Sequence, residues 1–286
     1  MRFIAFKSGT TTGLAVAIHD NVFHGLLTTD VAYPGDLLEL LQKGGSAIRD
    51  AGETLSLGAE VDLRAVEFLP PIGEPEKIIC IGLNYVDHSL ESGFKPPNYP
   101  AVFARFKSSL IGHQASIVRP TVSEQLDYEG ELVAVIGKGG RHIPRSTALE
   151  HVAGYSLFND ASIRDFQFKS GQWTIGKNFD STGAFGPAFI TAEELPPGCK
   201  GLQFETHLNG IVVQTAAIDD LIFDVASLVA LLSDTFTLAP GDLIVTGTPG
   251  GVGLARTPPL WMKPGDVCVI TSKALGELRN PIVAES

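Results

Sequence analysis

Disulfide frameworks, zinc-type cysteine spacings, membrane spans and basic patches are all missing from this chain of 286 residues. Its three cysteines, Cys80, Cys199 and Cys268, are odd in number and far apart, so they read as buried, reduced thiols. No apolar run approaches the ~20 residues of a membrane-spanning helix. Met1 to Lys7 is too short an apolar stretch for a secretion signal, and polar residues follow it at once. These absences predict a cytoplasmic protein with no membrane association. A formal charge of -11 without any lysine- or arginine-rich block argues against nucleic acid, whose phosphates demand concentrated cations.

Several catalytic signatures are missing too. No Gly-x-Ser-x-Gly elbow occurs, which disfavours a serine hydrolase. Gly171 to Asn178 nearly spells a phosphate-binding loop, but Asn178 stands where a magnesium-binding hydroxyl belongs, and Trp173 and Ile175 are too bulky for it. Gly247-Thr248-Pro249-Gly250-Gly251-Val252-Gly253 lacks dinucleotide-binding spacing. Its glycines instead suit backbone N–H groups approaching a carboxylate, with Thr248 adding a hydroxyl.

What is present is a strand-rich chain. Hydrophobic residues make up 44%, enough for a substantial core, and Gly 31 and Pro 18 supply many turns. Thr12 to Ile18 and Val22 to Leu27 flank an Asp20-Asn21 turn and predict a hairpin. Leu37 to Asp50 reads as helical. The proline-dense run Phe68 to Pro75 stops both helix and inner strand, which predicts a small domain over residues 1–70 and a second over 71–286. Beyond it, strands are predicted at Lys77 to Gly82, Glu131 to Ile136, Gly154 to Phe158, Gln203 to Leu208, Asp242 to Thr246 and Val267 to Thr271. Helices are predicted at Ala161 to Phe168 and Ile222 to Asp234. The fold class is therefore mainly β, of the α+β kind.

The sharpest feature is Tyr128-Glu129-Gly130-Glu131 leading into Leu132-Val133-Ala134-Val135-Ile136. Two glutamates two apart on a strand share a face, and that face continues as Val133 and Val135. Two like charges entering an apolar wall resist desolvation unless a cation joins them. A solvated strand end is the plainer reading of Glu-x-Glu alone. A second acidic site, Asp160 at the end of an apolar strand, strengthens the metal reading. Asp160 also suits a helix N-cap, which would set Asp160, Arg164 and Gln167 on one helical face. Three carboxylates of this kind suit Mg²⁺ or Mn²⁺. Separately, His88 and Glu91 are three apart on a helical turn, a spacing that lets a carboxylate orient an imidazole as a general base. An exposed surface turn is the plainer alternative there. Lys177 stands out as a fixed positive charge for an anionic substrate.

Taken in order, six stretches resemble the fumarylacetoacetate hydrolase family: Gly82 to His88, Asp127 to Leu132, Asn159-Asp160 with Arg164-Asp165, Gly176 to Asp180, Thr246 to Pro249, and Leu278 to Pro281. The likeness covers about residues 70 to 286. It implies a mixed β-sandwich roll as catalytic domain behind a smaller N-terminal α+β domain, and usually a homodimer. It implies Glu129, Glu131 and Asp160 as ligands of Mg²⁺, or of Mn²⁺ or Ca²⁺. His88 with Glu91 resembles the base dyad that some members carry on a mobile lid, and the lid around Phe94 to Arg105 is expected, with the N-terminal domain, to select the substrate's distal group. Lys177, Gln167, Arg164 and Thr248 resemble substrate-facing groups, with Tyr85 and Arg105 beside them. Asn84 departs from the eukaryotic fumarylacetoacetases, which carry a further metal-binding aspartate before the tyrosine. That departure favours the bacterial acylpyruvate and diketo-acid hydrolases.

The resulting expectation is a metal-dependent hydrolase that cleaves a carbon–carbon bond in a 2,4-dioxo acid and releases pyruvate. The same site also suits an oxaloacetate decarboxylase or a 2-oxo acid isomerase or hydratase. A catalytically silent binding protein on the same fold is the alternative from another class, and the presence of all three carboxylates speaks against it.

Overall fold

The computed structural model describes residues 1–286 apart from Ser92, Phe94 and Pro96. Phe94, placed at the start of the expected lid, therefore lies outside the described residues. Alternating and β-branched runs form strands through most of the chain, and these build a twelve-stranded mixed sheet, a five-stranded sheet and a two-stranded ribbon. The fold is mainly β, as its sequence pattern predicts.

Strand Gly130–Ile136 is buried along its whole length and divides two cores. Leu132, Ala134 and Ile136 enter the larger core, whereas Val133 and Val135 pack with Cys80, Phe158 and Phe185 in another. This is the parity expected from period two, with both faces covered. Its antiparallel neighbour is Val152–Asp160, in register from Gly130 opposite Asn159, and on its other side lies Leu243–Val245. Leu243–Val245 pairs in parallel with Ile78–Gly82, which pairs antiparallel with Ala101–Arg105 at the sheet edge. Fully burying one such Leu or Val stabilises the fold by roughly 1.5–3 kcal/mol.

The predicted hairpin forms between Thr11–His19 and Val22–Leu27, with Asn21 at φ 60° in the turn. The stretch from Leu37 becomes two helices, Leu37–Lys43 and Ala47–Ser56. An Asp36–Glu39 capping box starts the first, and Gly44 at φ 64° stops it. Strand Arg2–Ser8 pairs with Gly183–Thr191, so one sheet runs across the proline-dense joint near residue 70. Helix Val225–Thr235 begins three residues later than its apolar pattern predicts. Asp224 caps it, accepting a bond from the Ser227 N–H at 2.8 Å. All three cysteines are free and buried.

The two sheets press together at Gly130. A Cβ there would meet Thr206 Oγ1 of the second sheet at 2.1 Å, so only glycine fits. Beside it, Gln214 accepts from the Gly130 N–H at 3.0 Å and donates to Thr248 Oγ1 and the Pro249 carbonyl. The strand carrying the glutamates is thereby tied to both the second sheet and the glycine-rich loop.

Candidate active site

Strand ends bring the three carboxylates together. Glu129 and Glu131 flank Gly130 at the start of one strand, and Asp160 ends the antiparallel neighbour; the Asp160 N–H donates to the Glu129 carbonyl at 2.9 Å. All three are buried, and each offers an oxygen within 4.8 Å of the others. The position of Asp160 differs from the sequence expectation. It caps no helix: a strand Ser162–Ile163 intervenes, and the following helix is only Arg164–Gln167. Strand pairing, rather than a helical face, sets its place.

Three buried cations face these groups. Lys177 Nζ lies 2.7 Å from Glu129 and 2.6 Å from Asp160. Arg164 Nη1 reaches Glu129 at 2.6 Å, while its Nε donates to buried Asp127 at 2.8 Å. Arg105 donates to Asp160, to Thr182 and to Ser109. Burial disfavours the Glu129 charge, but Lys177, Arg164 and His88 outweigh it and hold its carboxyl at about 2. Glu131 goes the other way. Burial and the charges of Asp160 and Glu129 push its carboxyl well up, and Lys177 and the Gly247 N–H at 2.5 Å only partly offset them. With Asp127, four buried carboxylates meet three buried cations, and Glu131 has no cationic partner among the described residues. An all-oxygen donor set that is short of positive charge suits a hard divalent cation.

Opposite this floor stands helix Val86–Glu91. His88 Nδ1 meets Glu91 Oε1 at 3.0 Å, as the spacing of three predicts. The second Glu91 oxygen accepts from the Gly251 N–H at 2.8 Å. An ionised Glu91 requires the proton on Nδ1, which leaves Nε2 as the basic nitrogen. The glycine-rich loop thus does approach carboxylates, but they are the protein's own: Gly247, at φ 104°, serves Glu131, and Gly251, at φ 98°, serves Glu91.

Between floor and helix lies a chamber of about 20 Å³, lined by Glu129, Glu131, Lys177, His88, Thr248 and, above them, Trp173 and Phe103. That is room for roughly one water. The remaining residues that sequence reasoning placed at the site stand outside this lining. Arg105 is turned onto Asp160. Arg164 lies between Asp127 and Glu129, and Gln167 accepts from its Nη1 at 2.9 Å. Tyr85 is buried, with its hydroxyl unpaired among the described residues. Asn84 holds backbone instead of a cation: its amide donates to the Phe223 and Thr246 carbonyls and accepts from the Phe223 N–H. Sequence reasoning missed two contributors. Asp127, which also accepts from the Gly253 and Leu254 N–H groups, was visible only as part of a longer motif. Trp173 shows in the sequence only as a residue too bulky for a phosphate loop.

A family profile described as Fumarylacetoacetate (FAA) hydrolase C-terminal matches residues 77–283. The chain belongs to the fumarylacetoacetate hydrolase family. A relative from Xenopus laevis, a mitochondrial oxaloacetate tautomerase, is 38% identical over 99% of this chain and 90% of its own length. Among solved structures, a fumarylacetoacetate hydrolase from the psychrophile Exiguobacterium antarcticum superposes with a TM-score of 0.87 at 32% identity, covering all of both chains. The maleylpyruvate hydrolase of Sphingobium sp. SYK-6, solved with manganese(II) and pyruvate, gives 0.81 at 27% identity, again over all of both chains. Family members thus include enzymes of more than one reaction type on this fold. Among the described residues no helix is long and apolar enough to cross a membrane.

Proposed function

We propose that this family member interconverts the enol and keto forms of a small 2-oxo dicarboxylic acid of the oxaloacetate kind, with a divalent cation held by Glu129, Glu131 and Asp160. The carrying observation is a single base, His88, fixed by Glu91 and lining one chamber with Glu129, Glu131 and Lys177. Likeness to an oxaloacetate tautomerase over nearly the whole chain supports it.

Keto–enol exchange needs one proton to leave an oxygen and one to join the adjacent carbon, or the reverse, and consumes no second reactant. His88 Nε2 is the group to take or give the proton at carbon. Glu91 keeps the imidazole in the useful tautomer and stabilises its charged form. Lys177 offers an ammonium to the developing oxygen charge, where electrostatic help is strongest. When bound, a divalent cation supplies further positive charge against the acid's oxygens. We assign Arg105, Arg164, Gln167 and Asp127 to holding the ligand carboxylates, and Thr248 to the substrate wall. The setting we propose is a cytoplasmic homodimer using Mg²⁺ or Mn²⁺, with residues 1–70 as its smaller domain.

Carbon–carbon hydrolysis is the second reading. It is favoured by the likeness to maleylpyruvate hydrolase, with the same His88 as the base that would activate a water. Enol-oxaloacetate supplied with Mn²⁺ separates the two. Loss of the enol absorbance without pyruvate release supports tautomerisation. An unaccelerated enol decay, together with rapid pyruvate release from an acylpyruvate, would overturn it in favour of hydrolysis.

A further inference from the structure

The carboxylates, His88 and Lys177 account for the chemistry of the chamber but not for its size. Its lining includes two aromatic side chains that carry none of that chemistry, Phe103 and Trp173. Trp173 directly precedes the short helix Thr174–Lys177, so the indole and the Lys177 ammonium come from one turn of chain. That turn packs closely on its neighbour. A Cβ at Gly176 would lie 2.4 Å from the Gln167 backbone nitrogen, so the helix is seated without slack.

The indole is seated as firmly. It lies against Gly82 at the end of strand Ile78–Gly82, where an added Cβ would meet Cζ3 at 2.2 Å. Phe103 meets it edge-on, with centroids 5.5 Å apart, and Lys177 Nζ stands 5.0 Å from the centre of the Phe103 ring. Trp173 is thus fixed against Gly82 and the edge of Phe103, and it lines the same chamber as Glu129, Glu131 and Lys177. An acid whose carboxylate and 2-oxo group bind the floor shares this chamber with the indole, so its remaining carbons compete with Trp173 for space.

We infer that Trp173, seated on Gly82 and Phe103, sets the chain length of the acids this enzyme accepts. The inference rests on the reading of the carboxylate floor as the end that receives the 2-oxo acid. Packed apolar walls discriminate by size: one methylene too many in such a pocket changes selectivity by roughly 10–200-fold. With the indole in place the wall restricts the length of acid the floor can receive; with it removed, longer acyl chains gain space.

The test is binding, so it does not depend on which reaction the enzyme performs. Unreactive linear 2-oxo acids, from pyruvate to 2-oxohexanoate, would be titrated calorimetrically into Mn²⁺-saturated protein. The unaltered chain should lose affinity at least about tenfold between the three- and six-carbon acids. Trp173→Ala should remove most of that loss while keeping pyruvate affinity within a few-fold, and Trp173→Leu should fall between. Gly82→Ala should change the length profile when Trp173 is present and leave it unchanged in Trp173→Ala. A profile in Trp173→Ala that stays within twofold of the original at every length overturns the inference. Failure of even pyruvate to bind the unaltered, Mn²⁺-loaded chain would overturn the assignment of the floor, and this inference with it. Absence of enol–keto exchange beside an intact length profile would overturn only the proposed reaction.

Discussion

Glu129, Glu131 and Asp160 stand at the ends of strands of seven and nine residues inside a twelve-stranded sheet, whereas His88 belongs to a helix of six residues and Trp173 directly precedes one of four. The floor is held by backbone pairing, by three cations and by packed valines. The roof is held by side-chain contacts, His88 to Glu91 and Trp173 against Gly82 and Phe103. The difference teaches where stability and selectivity reside. A floor side chain cannot change without disturbing buried charge, but a roof side chain can change with little cost to folding. One scaffold can therefore keep its carboxylates while the roof is altered to suit different acids and reactions.

The sharpest way to break the comparison is Asp160→Asn. It removes the charge that Arg105 and Lys177 share, and breaking a buried pair from one side costs about 3–5 kcal/mol. We expect a lower urea midpoint, no Mn²⁺ binding by calorimetry and no turnover. Stability within 0.5 kcal/mol (an ordinary surface-mutation effect of roughly that size) would remove the distinction between floor and roof. Next comes His88→Ala in the roof. Turnover should fall by about 10²–10⁴-fold while Mn²⁺ affinity and the unfolding midpoint stay near those of the unaltered protein.

Gln214→Ala lies between the two regions, because its amide joins Gly130 to the Thr248 loop. Leaving the buried Gly130 N–H unpaired should cost about 1–3 kcal/mol, readable by urea unfolding, with a modest loss of turnover. The smallest effect belongs to the cap of helix Val225–Thr235. Asp224→Ala should cost about 1 kcal/mol. Burial opposes the Asp224 charge, but the bonds from Ser227 and the nearby Arg145 outweigh it and hold the carboxyl below its ordinary 3.8. Its contribution is therefore complete above about pH 4. It is lost as the pH falls through the lowered value, so the difference between variant and parent should vanish in acid.

Much of the floor was legible in the sequence because strand parity is local. Glu129 and Glu131 share a face with Val133 and Val135 by period two, and His88 meets Glu91 by a spacing of three. Other features depended on partners far along the chain. Arg105 reaches Asp160 across 55 positions, and nothing in the residues around either one announces the pair. The turn into Arg164–Gln167 was misread because Asp160 suits a helix cap as well as a strand end, and only pairing with Gly130–Ile136 decides between them. Strand Gly183–Thr191 escaped notice because glycines and a proline interrupt its apolar pattern. Trp173 was legible as bulk but not as a roof, since its seat on Gly82 joins segments about ninety residues apart.

Gly130 gives the molecule a tolerance problem of a mechanical kind. Thr206 bears on a backbone that carries a glutamate on either side, so the spacing of the two sheets is transmitted to the separation of those carboxylates. Substitutions in Gln203–Leu208 that never approach the chamber will then behave as adjustments of its gauge.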